Sequence, residues 1–245
     1  MTVIERNRQV VAALMHHLGG SFAAALGIEL AGAREGELFK WLLASFLYGA
    51  RISELIATRA YREFERRQVV SPQAILSTGW DGLVRILDDG GYVRYDFSTA
   101  RNLLAVAGDL VREYGGNLNN VHAAAKDARD LEARLQRIGK GIGPVTANIF
   151  LRELRGIWPK ARPMPSALVL LSAEALSLLP GSMTGERALA RLESLGRQVG
   201  IGGVSLADFE AALVRLGIRY CRRKRHASCP MTSWCRLGTG QNRSA

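Results

Sequence analysis

The chain of 245 residues has no long uninterrupted apolar run and only three cysteines. Its apolar early stretch, 10–30, is interrupted by His16, His17 and several glycines, which makes it too polar to span a bilayer. The N-terminus lacks the basic start, apolar centre and small-residue cleavage site of a secretory signal. These absences predict a cytoplasmic chain with no membrane association.

Extended alternation of apolar and polar residues is also missing, which argues against an exposed β-sheet. Apolar residues instead recur at spacings of three and four in the segments 38–47, 55–64, 103–111 and 206–216. Short breakers separate the helical segments, and Ser71-Pro72 has the composition of a helix start, with proline at the first helical position. The pattern predicts an all-α fold built from short helices.

Acidic residues are scarce where basic residues gather. The net charge is +11, which is typical of proteins with a polyanionic partner, nucleic acid before membrane. No Asp or Glu follows Glu210, and the same stretch contains the basic run Arg222, Arg223, Lys224 and Arg225. A second surplus comprises Arg134, Arg137, Lys140, Arg152, Arg155, Lys160 and Arg162. Two basic surfaces suit a duplex that is contacted on more than one face.

One segment combines glycines with a helix start. It reads Ile138-Gly139-Lys140-Gly141-Ile142-Gly143-Pro144-Val145-Thr146-Ala147-Asn148. We predict a helix that ends near Ile138, a tight turn, and a second helix from Pro144 through Leu154. Glycines let a backbone approach a ligand closely, and free N–H groups at a helix start favour a phosphate. The segment is interpreted as a helix-hairpin-helix that holds DNA, the alternative being an ordinary αα-hairpin. Its DNA contacts are predicted at Lys140, Gly141, Ile142, Gly143, Val145 and Thr146.

The residues 141–148 resemble the hairpin of the endonuclease III-type (HhH-GPD) DNA glycosylases. Further likenesses are Trp41-Leu42-Leu43-Ala44-Ser45, Gly91-Tyr92 before Thr99-Ala100-Arg101, and Cys229-Pro230 with Cys235. The resemblance implies a two-domain, all-α fold. A six-helix domain with the hairpin would span 34–158, and a second helical domain would combine 1–33 with 159–245, including a Cys-rich loop at 221–235. It also implies a monomer that binds double-stranded DNA, works in base excision repair and is nucleoid-associated.

The family's catalytic residues are not found at the matching positions. Val145 stands where the family has its lysine nucleophile, and the point that matches its aspartate falls near Met164. No acidic residue lies between Glu153 and Glu174, and Glu153 itself is interpreted as part of a solvated helix ion pair. We therefore expect duplex binding without ordinary glycosylase or AP-lyase activity, and leave open whether the chain is an enzyme. The alternatives are a monofunctional glycosylase with an atypical catalytic residue, and a helical module for RNA or protein.

Two aromatic residues fall near the family's base-flipping positions. Phe46 stands near the residue that fills the gap left by a flipped base, and Tyr92 stands near the wedge. Aromatic side chains there would stack on bases or plug the duplex. Phe46 is explained equally well as helix core, whereas Tyr92, after two glycines, is expected to be exposed.

The cysteines resemble the end of the family's iron–sulfur loop. The family spacing is Cys-x6-Cys-x2-Cys-x5-Cys, and this chain has Cys221-x4-His226-x2-Cys229-x5-Cys235. The resemblance implies a [4Fe–4S] cluster held by these four residues, with zinc or no metal as alternatives. The basic run 222–225 lies inside this loop and is expected to contact phosphate. A monovalent cation at the hairpin is a further expected ligand.

Overall fold

The structure, a computed structural model, describes residues 1–199 and 205–236. These residues form helices and turns without a β-strand, which confirms the predicted all-α class. None of the helices described is long and apolar enough to cross a membrane. The last residues of the chain, 237–245, including Arg243 of the basic C-terminal stretch, lie outside the described residues.

The helices follow one another along the chain with short connections. They are α1 (Val3–Leu18), α2 (Phe22–Ala25), α3 (Glu35–Tyr48), α4 (Glu54–Arg66), α5 (Pro72–Asp89), α6 (Asp96–Tyr114), α7 (Leu118–Ala124), α8 (Ala128–Arg137), α9 (Pro144–Glu153), α10 (Ala167–Ala175), α11 (Gly185–Val199) and α12 (Leu206–Leu216). A π-helical turn, Gly217–Cys221, and a 3-10 turn, Thr232–Trp234, follow α12.

Many helices begin where a short polar side chain caps the first turn. The capping residues are Thr2, Ser53, Ser71, Asn117, Asp127, Ser166 and Ser205. Each side chain accepts a hydrogen bond from a first-turn amide, which satisfies a donor that has no partner inside the helix. Ser71 followed by Pro72 is one of these starts, as the sequence predicts.

The chain divides into two compact units. One unit is the continuous segment 26–163, which contains α3 to α9. Its core includes the fully buried rings of Trp41, Tyr61, Phe64 and Phe150. The Trp41 indole donates to the Phe150 carbonyl at 3.1 Å and so joins α3 to α9. The hairpin segment therefore belongs to the core of this unit.

The other unit combines residues 1–25 with the described residues from Met164 onward. Helix α1 packs against α11 and α12, and α10 packs against α12. The Arg215 guanidinium lies 4.1 Å from the centre of the Phe22 ring and donates to the Leu18 carbonyl at 3.0 Å. Arg6 donates to the Leu176 carbonyl at 3.2 Å. This unit is therefore closed by residues that are far apart in the sequence.

Candidate nucleic-acid interface

The loop 138–143 joins α8 to α9 and forms the predicted hairpin. Gly139 and Gly141 have φ angles of +79° and +115°, a region that residues with a Cβ rarely adopt. A Cβ on Gly139 would lie 2.8 Å from the Val106 nitrogen of α6, and one on Gly141 would lie 2.4 Å from the Phe46 ring. Both glycines are therefore required by the packing of the chain itself.

Phe46 lies directly against this loop. Its side chain is buried, with 7% of the residue exposed. The sequence left open whether Phe46 contacts DNA or belongs to the helix core. In the structure it belongs to the core. Phe46 supports the hairpin at Gly141, and it offers almost no surface to a base.

Gly143 differs from the other two loop glycines. Its φ is −82°, and a Cβ built on it would meet no atom within 4 Å. Gly143 is the N-cap of α9, Pro144 follows at the start of the helix, and Gly143 makes no side-chain capping hydrogen bond. The positive end of the helix dipole thus lies beside a position where a ligand has room to approach the backbone. A phosphate oxygen is a suitable occupant of such a space.

The side chains around this opening have separate tasks. Ile142 and Thr146 are buried, with 2% and 4% of each residue exposed, so that they offer almost no surface to a ligand. The Thr146 hydroxyl donates to the Gly141 carbonyl at 3.4 Å and steadies the loop. Lys140 is exposed and adds a positive charge beside it.

Only some of the basic residues around the hairpin lie on the surface. Arg152 and Arg155 are buried, and Arg155 donates to the Pro163 carbonyl. The Lys160 ammonium donates to the carbonyls at the end of α7, with a distance of 2.8 Å to that of His122. These three cations serve the fold, which corrects their assignment to a basic surface. Arg137, Lys140 and Arg162 are the exposed members of the group.

The positions that match the missing catalytic residues carry apolar side chains in contact with solvent. Val145 is 61% exposed in the first turn of α9, and Met164 is 38% exposed. Glu153 is not solvated as expected, because only 1% of its side chain is exposed. It faces the Arg152 guanidinium at 4.0 Å, and burial of two charges requires such pairing. Glu153 is thus a buried structural carboxylate with almost no surface for a substrate.

Tyr92 is fully buried, and the expectation that it is exposed is wrong. The Tyr92 amide donates to the Leu87 carbonyl, and the Gly91 amide donates to the Asp88 carbonyl, both at 2.8 Å. Gly91 has a φ of +77°. This is the Schellman pattern of helix ends, in which the residue after the glycine packs back against the last turn. The next residue, Val93, is 64% exposed.

The sequence reasoning missed an exposed aromatic pair in the same unit. Trp80 on α5 is 39% exposed and Phe97 on α6 is 56% exposed. Their ring centres are 5.3 Å apart. The amphipathic pattern of α5 and α6 places aromatic residues in the core by default, and only the packed structure shows which rings remain outside.

The second basic segment is the loop 221–235, called here the cysteine loop. Its run of four cations, 222–225, is exposed as expected. A shallow cleft of about 550 Å³ is lined by the residues 224–228. Burial raises the pKa of the Cys221 thiol, which lies 3.9 Å from the Ser172 hydroxyl, and burial also raises the pKa of the Cys229 thiol. Without a metal ion, these thiols are therefore favoured in the protonated form.

The residue types of the cysteine loop fit a thiolate-bound metal group. Cys221 is close enough to Cys229 and Cys235 for their charges to interact. Within the described residues, however, no three His, Cys, Asp or Glu side chains are gathered as a metal-binding group. The iron–sulfur cluster and its ligands Cys221, His226, Cys229 and Cys235 thus remain a prediction from spacing.

Comparison with solved structures identifies the fold. A trapped complex of endonuclease III with DNA superposes with a TM-score of 0.60 at 16% sequence identity, covering 99% of this chain and 100% of that one. The chain has the endonuclease III-like fold. A thermostable thymine-DNA glycosylase gives a TM-score of 0.58 at 14% identity, with 96% of this chain and 98% of that chain covered.

A third structure with the endonuclease III-like fold is the H. pylori 3-methyladenine DNA glycosylase bound to 1,N6-ethenoadenine. It gives a TM-score of 0.54 at 15% identity and covers 89% of this chain and 98% of that chain. No family model and no curated protein matches the sequence. The fold is therefore shared with these structures over most of the chain, at low sequence identity.

Proposed function

We propose that this chain is a double-stranded DNA-binding protein of base excision repair that lacks ordinary glycosylase and AP-lyase activity. The observation that carries the proposal is the open end of α9 at Gly143. A Cβ on Gly139 or Gly141 would meet the protein itself, whereas a Cβ on Gly143, the N-cap of α9, would meet no atom within 4 Å. A ligand backbone therefore has room to approach α9 closely at Gly143.

A DNA phosphate suits this position on physical grounds. Uncapped amides and the helix dipole attract an anion, and Lys140 adds a full charge next to them. Such contacts fix a protein on the backbone without reading base sequence. The exposed cations 222–225 of the cysteine loop would add a second, sequence-independent attraction. A monovalent cation bridging the loop carbonyls to a phosphate would strengthen the same contact.

The absence of the family's catalytic lysine and aspartate supports binding without ordinary catalysis. Val145 has no nucleophilic atom, so no Schiff base can form at this position. Glu153 is the carboxylate nearest to Val145 in the sequence, and because it is buried it cannot contact a cationic sugar. A glycosylase without a carboxylate loses a major electrostatic contribution to transition-state stabilisation. Damage recognition is therefore the activity that the remaining residues suit best.

The decisive binding experiment uses two glycines that both have free space for a side chain. Gly143→Val fills the opening, and Gly36→Val adds the same atoms where a Cβ also meets nothing within 4 Å. We expect Gly143→Val to weaken duplex binding by about tenfold or more at low salt, with Gly36→Val close to wild type. Fluorescence anisotropy measures both, and melting curves establish that both variants are folded. Equal affinity of the two variants would show that α9 is not the phosphate site.

A second experiment separates binding from catalysis. Duplexes that carry uracil, oxidised pyrimidine, 8-oxoguanine, an alkylated purine or an abasic site are incubated with the protein. We expect tight binding and no base release or strand cleavage. Base release by the wild-type protein would instead establish the monofunctional glycosylase. Stronger binding to RNA than to duplex DNA would favour the RNA-binding module.

A further part of the proposal concerns assembly and location. We expect a monomer associated with the nucleoid in the cytoplasm. Size-exclusion chromatography with light scattering at several concentrations tests the first expectation, and imaging of a tagged chain beside a DNA stain tests the second. A concentration-independent dimer, or a signal away from the DNA, would contradict these expectations.

A further inference from the structure

Trp80 and Phe97 form a fixed aromatic surface at the outside of the hairpin unit. Their ring planes meet at 44° with the centres 5.3 Å apart. The Trp80 indole N–H donates to the Phe97 carbonyl at 3.2 Å, which fixes the orientation of the indole relative to α6. The pair is thus pre-ordered, so that a ligand that stacks on it need not pay the entropy of arranging it.

The backbone beside the pair is also distinctive. Gly79, with a φ of +66°, interrupts α5 immediately before Trp80. Both rings of the pair are exposed, although large aromatic side chains are usually buried in a core. An exposed pair of aromatic rings commonly marks a binding surface.

An exposed stripe on α6 leads from this pair to the hairpin. Phe97, Arg101 and Ala105 are all exposed, and their spacing of four places them on one face of the helix. At the far end of the stripe, Gly139 packs against the backbone of Ala105 and Val106. With a rise of 1.5 Å per residue, Phe97 lies about 12 Å along the helix from this contact.

This distance matches the spacing of nucleotides. In one strand of B-DNA the phosphates are 3.4 Å apart along the axis, so about 12 Å corresponds to three or four nucleotides. Arg101 lies between the pair and the hairpin, where its charge suits an intervening phosphate. Asp96, the acidic residue next to Phe97, accepts a hydrogen bond from the Phe97 amide at 2.8 Å through its Oδ1.

We propose that Trp80 and Phe97 form a base-stacking surface for an unpaired nucleobase of DNA, a few nucleotides from the phosphate held by the hairpin. The inference rests on the proposed DNA-binding function. Aromatic rings bind any base by its π-face, and each stacked base adds substantially to affinity. The surface therefore provides a preference for duplexes with a base out of the stack, without a preference for its identity.

The test compares two labelled duplexes of the same sequence, one fully paired and one with a single bulged nucleotide. The variants are Trp80→Ala and Phe97→Leu, and the control is Leu55→Ala, which removes an apolar side chain 59% exposed on α4. We expect wild type and Leu55→Ala to prefer the bulged duplex by about tenfold. Trp80→Ala and Phe97→Leu should bind both duplexes with nearly equal affinity.

Tryptophan fluorescence gives an independent readout. Trp41 and Trp158 are buried, with 0% and 3% exposed, so that Trp80 is the accessible indole of its unit. In a Trp234→Phe background, the bulged duplex should quench the Trp80 emission more strongly than the paired duplex. Moving the bulge along the strand should give the largest quenching at a single position.

The outcomes distinguish this inference from the proposed function. If wild type binds the paired duplex through Gly143 but Trp80→Ala and Phe97→Leu keep the full preference for the bulge, the stacking surface is refuted and the hairpin grip stands. If these variants lose paired and bulged duplexes equally, the pair is a general contact and the proposal is also refuted. If wild type binds neither duplex, the proposed function itself fails. Phe97→Leu decides the matter if Trp80→Ala is unfolded.

Discussion

The hairpin loop and the cysteine loop are both basic, but different interactions hold them. The hairpin loop lies against α6 and Phe46 through two glycines that leave no room for a side chain. The cysteine loop is held largely by local turns, such as the Thr232 hydroxyl donating to the Cys229 carbonyl at 2.7 Å. Met231 and Cys235 are its buried anchors. Tight backbone packing fixes the first loop before any ligand arrives, whereas the second loop has donor atoms that a metal would bring together.

The largest expected effect is on stability, and it comes from a side chain added inside the packed hairpin loop. Gly139→Ala should lower the free energy of unfolding by about 2–4 kcal/mol, because the new Cβ meets α6 and the backbone has a positive φ. Gly143→Ala should cost at most about 1 kcal/mol, since it has free space and an ordinary φ. Urea denaturation of both variants measures the difference. Similar losses for the two would refute the claim that packing fixes Gly139 and leaves Gly143 free.

The next effect tests what orders the cysteine loop. We expect protein purified without oxygen to contain iron and acid-labile sulfide, and to absorb visible light. Cys229→Ser should lower the iron content severalfold, because a hydroxyl is a poor substitute for a thiolate ligand. Ser228→Ala changes the neighbouring residue and serves as the control. A colourless wild-type protein that contains zinc, or no metal, would contradict the cluster.

A smaller effect compares the two loops as phosphate contacts. Each cation that neutralises a phosphate contributes about 0.9 to the slope of log K against log salt concentration. Lys140→Ala and Arg223→Ala should each reduce the slope by roughly this amount. The buried Arg152 is not a suitable control, so the exposed Arg51 is changed to alanine instead. An unchanged slope for Arg223→Ala would leave the hairpin as the phosphate-binding loop and remove the cysteine loop from the interface.

The smallest expected effect is on the pH dependence of stability, through His122 in the unit that contains the hairpin. His122 stacks on Trp158 with ring centres 4.8 Å apart, and burial together with the charge of Lys160 lowers its pKa. The unfolded chain therefore binds a proton first as the pH falls below about 6.5, so stability declines in that range. We expect the unfolding midpoint to decrease between pH 7 and 5, and His122→Gln to flatten that decrease. Leu55→Ala, which removes no titrating group, should keep the wild-type slope.

The hairpin was predictable because its information is local. Glycines and a proline at fixed positions set the turn and the helix start, and the observed α9 begins at Pro144 as expected. The burial of Tyr92 was also accessible in principle, since an apolar residue after a helix-ending glycine commonly packs back on the helix. The roles of Arg155 and Lys160 were not accessible, because their partners are carbonyls of Pro163 and of α7 that no pattern of side chains reveals. The exposed Trp80–Phe97 pair was not accessible either, because only the packed structure shows which aromatic rings are excluded from the core.

The closure of one unit by Arg215 has a consequence for synthesis. Arg215 reaches the Leu18 carbonyl, 197 residues earlier in the chain. The continuous unit 26–163 is complete on the ribosome before α12 exists, so it can fold first. At 5–20 residues per second, α1 waits roughly 10–40 s for the partner that covers its apolar face. During that interval the buried face of α1 lacks the helices that cover it in the folded protein.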